Sequence, residues 1–159
     1  MLIPNGCSTK LNNMANNPNK NYFKIIPAVF LILVKDNKIL LLRRANTGHM
    51  DGHYSMIAGH LEPGETLREG MKREALEEAS LEIALEDLKL NNVIHRVEDT
   101  RVDYFFTAEN WTGEPKIMEP HKCDDLSWFD LDNLPENTIY YIREAIENYK
   151  KDKRYSDFP

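Results

Sequence analysis

The sequence predicts an α+β domain in which strands and two helices alternate along the chain. Runs rich in β-branched, aromatic and other apolar residues are typical of strands, and they occur at 28–34, 38–43, 88–96 and 101–108. Segments 66–79 and 138–150 instead carry helix start signals or apolar residues at helical spacing. A chain of 159 residues with 42% hydrophobic residues suits one domain with one core.

Composition excludes several classes of protein. A net charge of −6 without a local basic patch argues against sequence-independent binding to nucleic-acid phosphates. The longest apolar run, 25–34, has about half the length of a membrane-spanning helix and contains a proline. The N-terminus lacks the pattern of a secretory signal. We therefore expect a soluble cytoplasmic protein that has neither a membrane nor a nucleic-acid polymer as partner.

The first half of the chain begins with an asparagine-rich segment, residues 1–22, which predicts a flexible extension. The turn KDN between 28–34 and 38–43 predicts a hairpin, and HYSMIAG predicts a short strand that ends at Gly59. Thr66 is a plausible helix N-cap, because Glu69 three residues later completes a capping box.

The second half predicts another hairpin, from 88–96 and 101–108 around the turn VEDT. A further strand is expected at 125–129. Apolar residues at helical spacing then predict a C-terminal amphipathic helix over 138–150.

Glu74, Glu77 and Glu78 crowd onto one face of the first predicted helix, because residues three and four positions apart are neighbours there. Such repulsion costs about 0.2 to 0.5 kcal/mol per exposed pair. A solvated acidic face is the ordinary explanation. The alternative is a site for a hard divalent cation, which prefers oxygen ligands. The loop GHLEPGE before the helix favours that alternative, since glycines let backbone groups approach an ion closely.

The spacing around these glutamates follows a known pattern. Gly59 is followed after five residues by Glu65, and after seven more by REALEEASL at 73–81. This resembles the Nudix box, G-x5-E-x7-R-E-U-x-E-E-x-G-U, where U is aliphatic. Ser80 replaces the last glycine, at a point where the chain leaves the helix with a positive φ that costs serine energy. The resemblance extends over most of residues 24–150, particularly to the MutT-like branch that acts on nucleoside triphosphates.

The resemblance implies a Nudix fold, a mixed β-sheet sandwiched between helices (α/β/α), formed by residues 23–159 as a single domain. It implies Mg²⁺ as cofactor, with Mn²⁺ as an alternative. The implied metal ligands, four of which are also candidate catalytic groups, are Glu74, Glu77, Glu78, Glu119 and the carbonyl of Ala58. Glu119 is assigned because it follows WTGEP, similar to a Trp-x-Gly-Glu-Pro stretch of that branch.

Other residues take supporting roles by the same resemblance. Arg44 would contact substrate phosphate, and Asn137 in NLPEN would read a base edge through its amide. Three further box residues would support the site, namely Gly59, Glu65 and Arg73. Glu65 and Arg73 would pair with each other and so orient the loop relative to the helix.

Three functions stay open at this point. The leading one is hydrolysis of a nucleoside triphosphate, oxidised or otherwise non-standard bases included, to a monophosphate and pyrophosphate. The second is a Nudix hydrolase for a nucleotide sugar or dinucleoside polyphosphate, and the third is a non-catalytic nucleotide-binding module. The expected partner is a small nucleotide, and the oligomeric state is open, a homodimer included.

Overall fold

The structure is a computed structural model that describes residues 21–159, and these contain nine strands and two helices. In chain order they are β1 (Ile26–Ile32), β2 (Val34–Lys35), β3 (Lys38–Arg44), β4 (Tyr54–Ser55), β5 (Ala58–His60), α1 (Leu67–Ala79), β6 (Lys89–Arg96), β7 (Arg101–Thr107), β8 (Cys123–Asp130), α2 (Tyr140–Lys150) and β9 (Tyr155–Phe158). The predicted extension, residues 1–22, lies almost wholly outside the described residues, so its boundary stays a prediction.

The strands form two sheets. The larger has the order β5-β1-β7-β6-β9, in which β1 runs antiparallel to β5 and parallel to β7. In the smaller sheet β3 pairs with β2, β4 and β8. Together with the two helices, these mixed sheets confirm the predicted α/β/α class. None of the helices in residues 21–159 is long and apolar enough to cross a membrane.

Strand β1 contributes to two separate cores because successive side chains point to opposite faces of a sheet. Ala28, Phe30 and Ile32 join one buried cluster, which includes residues of α2. The alternate residues of the strand join a second cluster, which includes the buried face of α1. The larger sheet is therefore covered by a helix on each side, and β1 is buried along most of its length.

Helix α1 begins and ends as the sequence predicts. The side chain of Thr66 accepts a hydrogen bond from the backbone N–H of Glu69, and the Glu69 carboxylate accepts from the backbone N–H of Thr66. At the other end Ser80 has φ 59° and ψ 33°, the left-handed conformation expected at the glycine position of the box. The reciprocal cap fixes where the helix starts, and hence where its glutamates point.

Some predicted pairings differ from the structure. The first hairpin is wrong for most of 28–34, because β1 lies in the larger sheet, and only the short β2, which begins at Val34, pairs with β3. The predicted strand through HYSMIAG divides into β4 and β5, which belong to different sheets. The second hairpin is confirmed as β6 and β7. Strand β9, parallel to β6, was not predicted, since a parallel pairing has no local turn signal.

Candidate active site

A cavity of about 550 Å³ lies beside the N-terminal part of β1, between β5 with α1 and the start of β7. All but two of the sequence-predicted site residues line it. They are Arg44, Ala58, Gly59, Arg73, Glu74, Glu77, Glu78 and Glu119. The remaining two are Glu65 and Asn137, which do not face the cavity. The structure therefore brings together residues that are up to 75 positions apart in the sequence.

Arg73 organises the acidic face of α1. Its Nε and Nη2 donate to the two carboxylate oxygens of Glu65 at 2.7 and 3.0 Å. Its Nη1 donates to Glu74 at 2.7 Å and to Glu77 at 3.0 Å, and Nη2 also reaches the carbonyl of His60 at 2.9 Å. The hydrogen bonds from Arg73 lower the pKa of Glu65 to about 2. One guanidinium thus ties the loop, strand β5 and two box glutamates into a fixed arrangement.

Glu78 lies against strand β5. Its Oε2 accepts a hydrogen bond from the backbone N–H of Ala58 at 2.9 Å. Burial raises the pKa of Glu78 to about 8, and the nearby carboxylates of Glu74 and Glu119 act in the same direction, while the Ala58 N–H opposes them. A carboxylate in this environment is charged only at a cost, and a nearby cation would offset that cost.

Gly59 makes room for Glu74. A Cβ at Gly59 would lie 1.8 Å from Oε1 of Glu74, far inside any allowed contact. The glycine of the box is therefore required here for close approach of the Glu74 carboxylate to β5.

Glu119 reaches the cavity from a turn that follows the WTGEP segment. Lys122, three residues later, places its Nζ 2.8 and 3.0 Å from the two Glu119 oxygens. The backbone N–H of Lys122 and of Cys123 both donate to the Glu119 carbonyl, which closes the turn. Sequence reasoning missed Lys122, although its i+3 spacing from Glu119 was a usable signal.

The donor set fits a hard divalent cation in its chemistry, since four carboxylates and a backbone strand with a glycine at the closest point surround one space. Across residues 21–159, no three His, Cys, Asp or Glu side chains are already grouped closely enough to hold an ion. Three of the four carboxylates form ion pairs instead, Glu74 and Glu77 with Arg73 and Glu119 with Lys122.

Arg44 and Asn137 hold loops by their side chains. Arg44 donates from Nε to the carbonyl of His49 at 2.8 Å and from Nη2 to Oγ1 of Thr47 at 3.0 Å, so it supports the 45–52 loop as well as lining the cavity. Asn137 donates from Nδ2 to the carbonyl of Gly52 at 2.7 Å. The amide predicted to read a base thus serves the same loop from outside the cavity.

Part of the cavity wall was not foreseen from the sequence. Phe30 and Tyr141 line it, and the Phe30 ring stacks on Phe105 with centroids 4.8 Å apart. Arg101 at the start of β7 completes this wall. Behind it, the guanidinium of Arg96 lies 3.9 Å from the centroid of the Tyr141 ring.

A model of the NUDIX domain matches residues 24–149, which is most of the chain and includes every residue of the carboxylate cluster. The chain belongs to the Nudix hydrolase family. Among its relatives, the NAD-capped RNA hydrolase NudC of Vibrio atlanticus is 31% identical over 138 residues, which is 84% of this chain and 49% of the relative. This Nudix chain thus spans about half the length of the curated relatives it matches.

Solved structures agree on the fold. The MutT NUDIX hydrolase of Burkholderia pseudomallei superposes with a TM-score of 0.72 at 25% identity, covering 78% of this chain and 97% of the other. A bifunctional NMN adenylyltransferase/ADP ribose pyrophosphatase of Francisella tularensis, solved with AMP and a manganese ion, gives 0.65 at 15% identity over 85% of this chain and 44% of its own. The second likeness shows the fold alone.

Proposed function

We propose that this protein hydrolyses the diphosphate linkage of a nucleotide substrate with a divalent cation, Mg²⁺ or Mn²⁺. The observation that carries the proposal is the gathering of the box glutamates and Glu119 around one cavity whose other walls bear arginines. Both the carboxylates and the arginines suit a diphosphate. The carboxylates hold a cation that binds some of its oxygens, and the guanidinium groups bind its other negatively charged oxygens.

Glu74, Glu77, Glu78, Glu119 and the Ala58 carbonyl would hold the cation. When bound, a divalent cation neutralises charge on the phosphates and lowers the pKa of a water molecule. Arg73 keeps Glu74 and Glu77 aimed at the cavity, and Gly59 leaves space for the Glu74 carboxylate. Glu74 or Glu119 takes the proton of the water that attacks phosphorus. Phosphoryl transfer depends on positioning and charge rather than on a covalent nucleophile.

Arg44 is the proposed phosphate contact, since it lines the cavity while its own hydrogen bonds hold it in place. Asn137 as a reader of the base stays a prediction from resemblance, because its Nδ2 is engaged with Gly52.

The first candidate substrate is a nucleoside triphosphate, cleaved to a monophosphate and pyrophosphate. The likeness to a MutT hydrolase at 25% identity over nearly all of that chain supports it. The second candidate is another nucleoside diphosphate linked to a different group, and the name of the relatives, NAD-capped RNA hydrolase, supports it. That name concerns an RNA, so the expected absence of a nucleic-acid partner stays a prediction. A non-catalytic module is disfavoured because every box carboxylate is present.

The test is a panel of nucleoside triphosphates and diphosphate-linked nucleotides incubated with Mg²⁺, with products identified by mass. Glu78→Gln should lower kcat/KM by about 100-fold or more, because it removes a charge at the cation site. Glu82→Gln is the matched control, since Glu82 is exposed and outside the cavity. The proposal would be refuted if turnover survived the Glu78→Gln substitution. It would also be refuted if turnover survived removal of the metal with a chelator.

A further inference from the structure

Four cationic side chains line the cavity, and three of them are committed to partners within the protein. Arg73 holds three glutamates and a carbonyl, Lys122 holds Glu119, and Arg44 holds the loop at Thr47 and His49. Arg101 is the exception. Within residues 21–159 its half-buried side chain has neither a hydrogen bond nor an ion pair.

The backbone of Arg101 lies far from that of Ala58, the residue to which Glu78 is hydrogen-bonded. On either side of β1, Ala58 of β5 is opposite Phe30, whereas Arg101 of β7 is opposite Ile26. The two positions are thus four residues apart along β1, about 13 Å, and about 10 Å apart across two strand spacings. A group bound by Arg101 therefore belongs to a part of the substrate other than the diphosphate at the glutamates.

The neighbours of Arg101 act on it without forming an ion pair. Asp103, on the same face of β7, interacts electrostatically with Arg101, but its ion pair is with Arg96, which lies 2.7 Å from its Oδ2. His60, across β1, lines the same cavity and forms no ion pair with Arg101. Ala28 lies between His60 and Asp103 in the sheet, and its small side chain leaves open space above the strand.

A guanidinium has five N–H donors and no acceptor, and it matches the two oxygens of a carboxylate or phosphate. A half-buried guanidinium without an ion-pair partner favours an anion over a neutral acceptor, since hydrogen bonds to an anion are charge-assisted. Phe30 and Tyr141, which line the same cavity, give the rest of the bound group an apolar wall.

We propose that Arg101 binds an anionic group of the substrate, a phosphate or carboxylate outside the scissile diphosphate, and so selects diphosphate-linked nucleotides that carry an additional negative charge. This proposal about Arg101 rests on the proposed hydrolysis of diphosphate linkages in the same cavity, and it specifies the class of substrate.

Matched pairs of compounds test the proposal, because each pair has the same diphosphate and differs by one anionic group. UDP-glucuronate and UDP-glucose differ by a carboxylate, NADP⁺ and NAD⁺ by a 2′-phosphate, and coenzyme A and dephospho-coenzyme A by a 3′-phosphate. For at least one pair, the protein should prefer the anionic member by about 10- to 100-fold in kcat/KM, the range of a hydrogen bond to a charged group. Arg101→Gln should reduce that ratio to about 1 to 3, mainly through KM.

Arg154→Gln is the control, since Arg154 is an exposed arginine that does not line the cavity; it should keep the full ratio. Arg101→Lys should restore part of the preference, because the charge returns without the bidentate geometry. No preference in any pair, or an equal loss for both members in Arg101→Gln, would overturn the proposal.

Failure of the proposed function is a separate outcome. If no compound is hydrolysed, titration calorimetry on the Glu78→Gln protein still measures binding of each pair, with and without Arg101→Gln. Tighter binding of an anionic member that depends on Arg101 would support the inference without hydrolysis. Equal binding within every pair would refute it.

Discussion

The two ends of the cavity are built in different ways. At the carboxylate end, the loop and helix between residues 59 and 78 supply nearly every group, and one residue, Arg73, holds most of them. At the other end, Arg101 and Tyr141 line the cavity from β7 and α2, and a buried pair, Arg96 of β6 with Asp103 of β7, lies next to Tyr141. Local spacing therefore arranges one end, and sheet register with helix packing arranges the other.

The two ends also differ in burial. Arg73 and Glu77 keep 21% and 55% of their side chains exposed, and such pairs contribute little to stability even when they orient a site. Arg96 and Asp103 are 4% and 0% exposed, so that pair cannot be broken without leaving a buried charge. We expect changes at the first end to affect activity, and changes to the buried Arg96–Asp103 pair to affect folding.

The largest expected effect is on folding, from Arg96→Met. This substitution leaves the Asp103 carboxylate buried without its cation and should cost about 3 to 5 kcal/mol of unfolding free energy at neutral pH. Burial already raises the pKa of Asp103 to about 6, and Arg96 is the strongest influence that lowers it. Without Arg96 the folded-state pKa rises further, so the stability of the variant is present at low pH and is lost as the pH rises through that value.

Urea denaturation at pH 5 and pH 8 measures this effect, and the deficit relative to the unsubstituted protein should be larger at pH 8. Adding Asp103→Asn to Arg96→Met should recover stability at pH 8, because it removes the unpaired charge. Arg154→Gln, which breaks an exposed pair with Asp152, should cost less than about 1 kcal/mol. A deficit of the same size at both pH values would contradict the buried-charge explanation.

The next largest expected effect is a loss of activity from a substitution at the carboxylate end. Gly59→Ala should lower kcat/KM by about 10- to 100-fold, because the new Cβ would displace the Glu74 carboxylate. Unfolding free energy should change much less, since the atom displaced is the end of a flexible side chain. Steady-state kinetics and urea denaturation of the same preparation separate the two quantities.

A double-mutant cycle shows whether Gly59 acts through Glu74. Gly59→Ala should cause little further loss in the Glu74→Gln background, because residues that act as a unit are not additive. Fully additive losses would mean that the glycine serves some other purpose.

The smallest effect concerns the end of α1. Ser80 has φ 59°, a conformation that costs L residues about 1 to 2 kcal/mol and costs glycine almost nothing. Ser80→Gly should therefore raise unfolding free energy by about 0.5 to 1 kcal/mol, while kcat/KM is unaffected because the residue lies beyond the glutamates. Ser80→Ala, measured by the same urea denaturation, should give no gain. Equal stability of the Gly and Ala variants would remove backbone strain as the explanation.

Much of the fold was predictable where the signals are local. The capping box at Thr66, the left-handed Ser80 and the hairpin of β6 and β7 all follow from residues within a few positions of each other. The pairing of β1 with β7 and of β6 with β9 joins distant segments in parallel. Such pairings are chosen by burial of whole sheet faces, and no turn in the sequence marks them.

By itself, the sequence determined the helix that carries Arg73, Glu74, Glu77 and Glu78, because helical spacing brings those glutamates together on the helix surface. The tertiary structure decided what faces them. It brought Glu119 and Lys122 to the glutamates from a turn some 40 residues away, and it placed Arg101 on another part of the cavity wall, where its side chain has no hydrogen bond or ion pair among residues 21–159. Those positions depend on strand register and on packing between layers, which residue spacing along the chain does not specify.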